Sequence, residues 1–198
     1  MKTALLLSGG MDSVSIAYWK RPDVAITVDY GQKPADAEIA AASKVAELLA
    51  IEHEIIRVDC SSLGSGDMAG TAPASAAPVS EWWPFRNQLV LTLAGMAAIR
   101  LKASRLLIGT LATDGEHADG RPDFVERISS LMGMQEGEMT VDAPAIRVDA
   151  VELVRQSGID QATLAWAHSC HTGNFACGRC RGCIKHFNTW QALGWTPH

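Results

Sequence analysis

Ser8-Gly9-Gly10-Met11-Asp12-Ser13 directly follows the apolar run Ala4 to Leu7, and these residue types in this order suit the holding of an anion. A strand that breaks at two glycines and restarts as a helix turns several backbone N–H groups and a helix N-terminus toward one spot. The hydroxyls of Ser8 and Ser13 are donors for phosphate oxygens, and the carboxylate of Asp12 is a ligand for Mg²⁺. A glycine pair alone says little, because a strand-to-helix turn needs positive φ whether or not it binds anything. The loop also lacks G-x-x-x-x-G-K-[ST] and G-x-G-x-x-G, so neither the P-loop lysine nor the dinucleotide fingerprint is present.

A second constellation is Cys170-x6-Cys177-x2-Cys180-x2-Cys183, with Gly173, Gly178 and Gly182 permitting tight turns between ligands. Four thiolates suit tetrahedral Zn²⁺, and a closed four-sulfur shell leaves no open position, so its role would be structural. Iron–sulfur ligation is the rival, since cysteines at two-residue intervals also hold clusters. Inert thiols fit poorly, because four in one short polar segment would oxidise or cross-link. His168, His171 and His186 flank the segment as substitutes for one thiol. Cys60, far away in sequence, reads as a small buried residue at a strand end.

These residues need a frame, and 198 residues with 47% hydrophobic content are enough for one sizeable core. A single domain over 1–198 is expected, with a metal segment at 166–186. The apolar stretch Leu89 to Ile99 is broken by Thr92 and Gly95 and falls short of the roughly 20 residues of a membrane span. Met1-Lys2-Thr3 runs into the glycine turn with no cleavage site, so a cytoplasmic protein is expected. Five cysteines without an export signal read as metal ligands before disulfides. The formal net charge of −5 argues against wholesale binding of a nucleic-acid backbone but leaves room for a small anionic ligand at a locally positive site.

Short apolar runs alternate with helical periods, the rhythm of a parallel sheet. Strands are predicted at Thr3 to Leu7, Val24 to Asp29, Glu54 to Asp59, Arg105 to Gly109 and Val141 to Val148. Helices are predicted at Asp12 to Trp19, Ala35 to Ala50, Asn87 to Leu101, Asp123 to Met132 and Ala150 to Gln156. Crossovers of this length favour right-handed βαβ units and a doubly wound α/β sheet, with ligands at the carboxyl ends of its strands. Ser61 to Ala77, rich in Ser, Gly, Ala and Pro, is compatible with a mobile lid or a disordered loop. Trp82, Trp83 and Phe85 are core or dimer contacts, or a stacking surface for a purine.

The hexapeptide after its strand resembles the pyrophosphate loop of the PP-loop ATPases, which cut ATP between the α- and β-phosphates and adenylate a substrate oxygen. Together with the four-cysteine segment, the chain resembles the 7-cyano-7-deazaguanine synthases nearly end to end. Asp29-Tyr30-Gly31-Gln32-Lys33, Pro84-Phe85-Arg86-Asn87, Gly109 followed by Asp114, and Asp119-Gly120-Arg121-Pro122-Asp123-Phe124 carry the resemblance further. It implies a mostly parallel, adenine nucleotide α-hydrolase-like fold and a ligase acting on 7-carboxy-7-deazaguanine, ammonia and ATP on the route to queuosine. It also implies Mg²⁺, one Zn²⁺ per subunit and a homodimer. By matching positions, Leu7, Ser8, Gly9, Gly10, Met11, Asp12 and Ser13 would hold the pyrophosphate. Asp12, Ser13, Arg86 and Asp114 would serve catalysis, and Tyr30, Gln32, Arg86, Asn87, Asp119 and Arg121 the substrate. Cys170, Cys177, Cys180 and Cys183 would hold the zinc. The plainer readings are a surface charge at Arg86, an N-cap at Asn87 and a solvated turn for the acidic loop.

The chain departs from this family pattern where substrate chemistry is expected. Pro34 stands where a histidine is usual, Glu38 arrives one position late, Gly120 replaces a cysteine, and Ala150 occupies the place of a lysine. Arg147 or Lys33 would have to supply the missing charge. A divergent member that stops at the amide or adenylates another carboxylate is one alternative. A tRNA-modifying PP-loop enzyme using the basic cluster Arg179, Arg181, Lys185 and His186 is a second, and a non-catalytic nucleotide-binding protein a third.

Overall fold

The computed structural model describes residues 1–196. Five strands form one parallel sheet: β1 (Lys2–Leu6), β2 (Val24–Asp29), β3 (Glu52–Arg57), β4 (Ala103–Leu107) and β5 (Thr140–Asp142). Their spatial order is β3-β2-β1-β4-β5, with every neighbouring pair parallel. The chain winds outward from β1 to β3 and then restarts on the other side of β1 with β4. The sheet is therefore doubly wound, and its switch point is the crevice between the carboxyl ends of β1 and β4, where such sheets bind ligands.

Alternation along β1 builds both faces. Ala4 and Leu6 join a core with Ile26, Leu91, Leu106 and Val141, while Leu5 and Leu7 face Val14, Val45, Leu153 and Trp190. Helices α1 (Met11–Lys20) and α2 (Ala35–Leu49) cover the second face; α3 (Arg86–Arg100) and α4 (Pro122–Gly133) cover the first. Three more helices follow, α5 (Ala150–Ser157), the short α6 (Gln161–Leu164) and α7 (Arg181–Ala192).

Three expectations need correction. The fifth strand ends at Asp142 instead of Val148. Pro144 follows at once, and its missing N–H and fixed φ end an edge ladder, so 143–148 turn back through Ile146 N–H to Ala143 O and Val148 N–H to Ala145 O. The third strand begins at Glu52 and ends at Arg57. Helix α7 had no counterpart among the predicted elements, because cysteines and glycines mask its period. Its Trp190 is fully buried and packs edge-on to Trp195.

The stretch 61–77 is folded against the body. Met68 is buried, Asp67 N–H donates to Ser80 O, and Ala74 N–H donates to Ser65 Oγ. Trp83 takes the core role, buried edge-to-face against Tyr30, while Phe85 is exposed.

Gly9 fixes the β1–α1 turn. Its φ is +76°, and a Cβ there would lie 2.4 Å from the carbonyl oxygen of Glu38 on α2. Gly9→Ala is expected to cost about 2–4 kcal/mol from left-handed strain and overpacking, measured as a lower urea midpoint.

Candidate active site

A cavity of about 280 Å³ opens at the switch point, floored by Leu6, Leu7 and Ser8 after β1 and by Ile108, Gly109 and Thr110 after β4. The glycine loop forms one end. Ser13 Oγ donates to Gly10 O at 2.9 Å and lies 3.2 Å from Ser8 Oγ, which accepts from Gly10 N–H. Gly10, Met11, Asp12 and Ser13 also line the cavity. Asp12, in the first turn of α1, receives Lys185 Nζ of α7 on Oδ2 at 2.7 Å. Its Oδ1 is buried and has no hydrogen-bond partner among the described residues. Burial pushes the Asp12 carboxyl up, with Lys185 opposing that rise. Asp114 reaches the same lysine through Oδ1 at 3.5 Å, while its Oδ2 accepts from Leu111 N–H. Burial alone would lower the pKa of Lys185, but the two carboxylates outweigh it, so the ammonium is held charged.

The opposite end is built by the start of α3. Arg86 lines the cavity beside Tyr30 and Met68, its Nη1 3.1 Å from the Met68 sulfur. Asn87 is buried; its N–H donates to Asp119 Oδ2 and its Nδ2 to Asp119 O. Asp119 thus ties down the α3 N-terminus and does not line the cavity. Arg121 also lies off the lining and donates to Gly115 O. Gln32, buried in the turn after β2, donates from Nε2 to Val28 O and to Glu38 Oε2 at 2.8 Å, so it orients Glu38 instead of lining the cavity itself.

Glu38 is a lining residue that the motif spacing did not single out as catalytic. Desolvation pushes its carboxyl up to about 7, against the hydrogen bond from Gln32 and the charge of Arg86. An acid poised there exchanges a proton near neutral pH. Glu81 is a second lining residue outside the motif reading. It is buried, with Arg181 Nη1 at 3.1 Å and His117 Nε2 at 3.6 Å. Burial would raise its pKa, but the His117 hydrogen bond, its own backbone and the charges of His171 and Arg181 prevail and lower it.

The four cysteines converge beside this site. The sulfurs of Cys170, Cys177, Cys180 and Cys183 all lie within 4.8 Å of one another, a group that could hold a metal ion. Cys180 caps α7 through its sulfur, accepting from Cys183 N–H. The segment is anchored to the glycine loop by His168 N–H, which donates to Gly9 O at 2.9 Å. His168 and His171 line the cavity, and His186 lies 3.0 Å from Ser169 Oγ and stacks on Trp190. Cys60 is half-buried against the first core.

The family model described as "Queuosine biosynthesis protein QueC" matches residues 2–194 of this chain. The chain belongs to the QueC family. Relatives named 7-cyano-7-deazaguanine synthase agree with it nearly end to end. The protein of Thiobacillus denitrificans is 32% identical over 96% of this chain and 93% of its own, and that of Methanosarcina barkeri is 29% identical over 98% and 95%. A solved structure, the U34-tRNA thiolase NcsA from Methanococcus maripaludis with its [4Fe-4S] cluster, superposes with a TM-score of 0.50. It is 19% identical and covers 97% of this chain and 66% of that one, a likeness of fold.

Two of the positions expected to depart from the family pattern have well-defined surroundings. A Cβ at Gly120 would lie 2.7 Å from Asp114 O, so no cysteine fits without moving Asp114. Ala150 is buried at the start of α5 among the second core's residues. Lys33 and Arg147 do not line the cavity, and the cation beside the loop comes from Lys185 instead. Arg181 and Lys185 sit four residues apart, one turn of α7, a spacing that could have marked them as a shared face.

A raised pKa at Glu38 means the folded state binds its proton more readily than the unfolded chain. Its contribution to stability is therefore intact below about pH 4.5 and is lost as pH rises to about 7. Glu38→Gln is expected to flatten the stability profile across that window and to gain on the order of 2 kcal/mol at pH 8, read from denaturation at stepped pH.

Proposed function

We propose that this chain is an ATP-dependent ligase that converts 7-carboxy-7-deazaguanine and ammonia to 7-cyano-7-deazaguanine through adenylated intermediates. The observation that carries this reading is the switch-point cavity, which joins the Ser8–Ser13 loop at one end to Arg86, Tyr30 and Glu38 at the other. The relatives' name supplies the substrate class.

A substrate carboxylate oxygen attacks the α-phosphorus of ATP and pyrophosphate departs. Ammonia then displaces AMP from the acyl carbon, giving the amide. The amide oxygen attacks the α-phosphorus of a second ATP with departure of pyrophosphate, and loss of AMP together with two protons from nitrogen leaves the nitrile. The loop N–H groups and the hydroxyls of Ser8 and Ser13 would hold the departing pyrophosphate, and Arg86, with its planar fork, would orient the carboxylate. Glu38, near neutrality in its pKa, would take protons from nitrogen. Tyr30 and Asn87 would bound the base, with Gln32, Asp119 and Arg121 acting behind them through the contacts described. Asp12, through its unpartnered Oδ1, and Asp114 are suited to hold Mg²⁺, which neutralises phosphate charge when bound.

Zinc is the ion that best fits the cysteine group. Four thiolates at about 2.3 Å from a tetrahedral ion stand roughly 3.8 Å apart. Cys177 and Cys183 sulfurs are 4.0 Å apart, as are those of Cys170 and Cys180. A closed shell makes the ion structural. We place the enzyme in the cytoplasm as a homodimer, in keeping with the family resemblance; no helix among the described residues is long and apolar enough to cross a membrane. RNA recognition draws no support from the basic cluster, since Arg181 and Lys185 are turned inward onto Glu81, Glu116, Asp12 and Asp114.

Incubation with ATP, Mg²⁺, ammonium and 7-carboxy-7-deazaguanine is expected to yield AMP and the nitrile mass together. Amide alone would mark a truncated reaction, and no AMP would sink the ligase reading. Asp12→Asn is expected to lower kcat at least about 100-fold with the fold intact. Chelation is expected to release one zinc per chain and to lower the thermal midpoint, followed by metal analysis and calorimetry.

A further inference from the structure

The glycine loop contains no lysine, yet one stands over it, contributed from 173 residues downstream of Asp12. Three cations line the cavity besides histidines: Arg86, Arg181 and Lys185. Arg181 is pinned between Glu81 and Glu116, and Arg86 lies at the far end against Met68. Lys185 alone of the three reaches the loop.

We propose that Lys185 is the residue that meets the polyphosphate of the bound nucleotide, leaving Asp12 and Asp114 for phosphate oxygens when the nucleotide enters. This rests on the nucleotide reading above. The charges at the loop make the exchange necessary. Two carboxylates and one ammonium leave a net negative charge where an anion must bind, so neither the lysine nor the loop amides alone make the spot attractive. A divalent cation taken up by Asp12 and Asp114 reverses that sign and releases the ammonium. Asp12 has the spare valence for it, because its Oδ1 is buried without a hydrogen-bond partner among the described residues. The Asp114 contact, at 3.5 Å, is already long for a hydrogen bond.

The lysine is placed for this on a fixed base with a movable end. Its backbone carbonyl accepts from Thr189 Oγ1 at 2.8 Å, and the helix continues into fully buried Trp190. Its side chain remains about a third exposed toward the cavity. An ammonium on a four-carbon stem can swing between carboxylates and phosphate oxygens as a point charge, which a planar guanidinium does less well.

The test is equilibrium binding of inorganic pyrophosphate and of AMP, each with Mg²⁺, to the wild-type protein and to Lys185→Met. The expected result is a loss of tenfold or more for pyrophosphate with AMP binding changed less than twofold, and a matching rise in the KM for ATP. Lys185→Arg is expected to recover part of the loss, and Lys185→Gln provides the same measurement should the methionine variant not fold. Unchanged pyrophosphate affinity, or equal losses for both ligands, would overturn the assignment and leave Lys185 as a structural ion-pair partner. A wild-type protein that binds neither ligand nor ATP would overturn the nucleotide reading itself, and this one with it.

Discussion

Three parts of the chain converge on one atom-sized gap. The turn after β1 must pass beneath α2 so closely that residue 9 has no space for a side chain, and the segment leading to the cysteines hydrogen-bonds to that residue's carbonyl. With Gly9 in place, Ser8 and Ser13 face one another, α1 points its N-terminus into the crevice, and Glu38 arrives on the other side of the cavity. The doubly wound sheet provides the crevice; the contact at Gly9 determines what lines it.

Much of this was legible in residue types and order. Ser8 to Ser13 after an apolar run foretold a strand, a turn and a helix start, because glycine and hydroxyl chemistry is local. Cysteine spacing foretold a converging group of four sulfurs that could hold a metal for the same reason. Non-local relations were less legible. Asp119 and Gln32 read as binding residues, and the structure sets them against Asn87 and Glu38, partners that only the fold brings within reach. Pro144 should have shortened the fifth strand, since a residue without N–H ends a ladder. Lys185 read only as one member of a basic cluster, because α7 offers no clean apolar period in sequence and its inward face is visible only once Trp190, on the same helix, is buried in the second core.

The cysteine segment is more than a clamp on the surface. Cys180 caps α7, and the next residue, Arg181, and Lys185 one turn later both line the cavity. A thiolate group at the start of a helix fixes both its axis and its rotation. Arg181 is thereby held against Glu81, itself carried in by the irregular chain around Met68 and Trp83, so that a segment of low apparent order contributes a buried carboxylate to the site.

That arrangement has a consequence in time. The five strands and nearly all of the first core are in place by residue 142, whereas Arg181 and Lys185 belong to the last helix, which arrives with the remainder of the second core. During synthesis the amino-terminal elements emerge and pack first. A growing chain thus holds a folded scaffold with two facing carboxylates, Asp12 and Asp114, and no lysine between them. The glycine loop therefore lacks its neighbouring ammonium until the four cysteines have been made and α7 has docked, so the scaffold is assembled before it is charged.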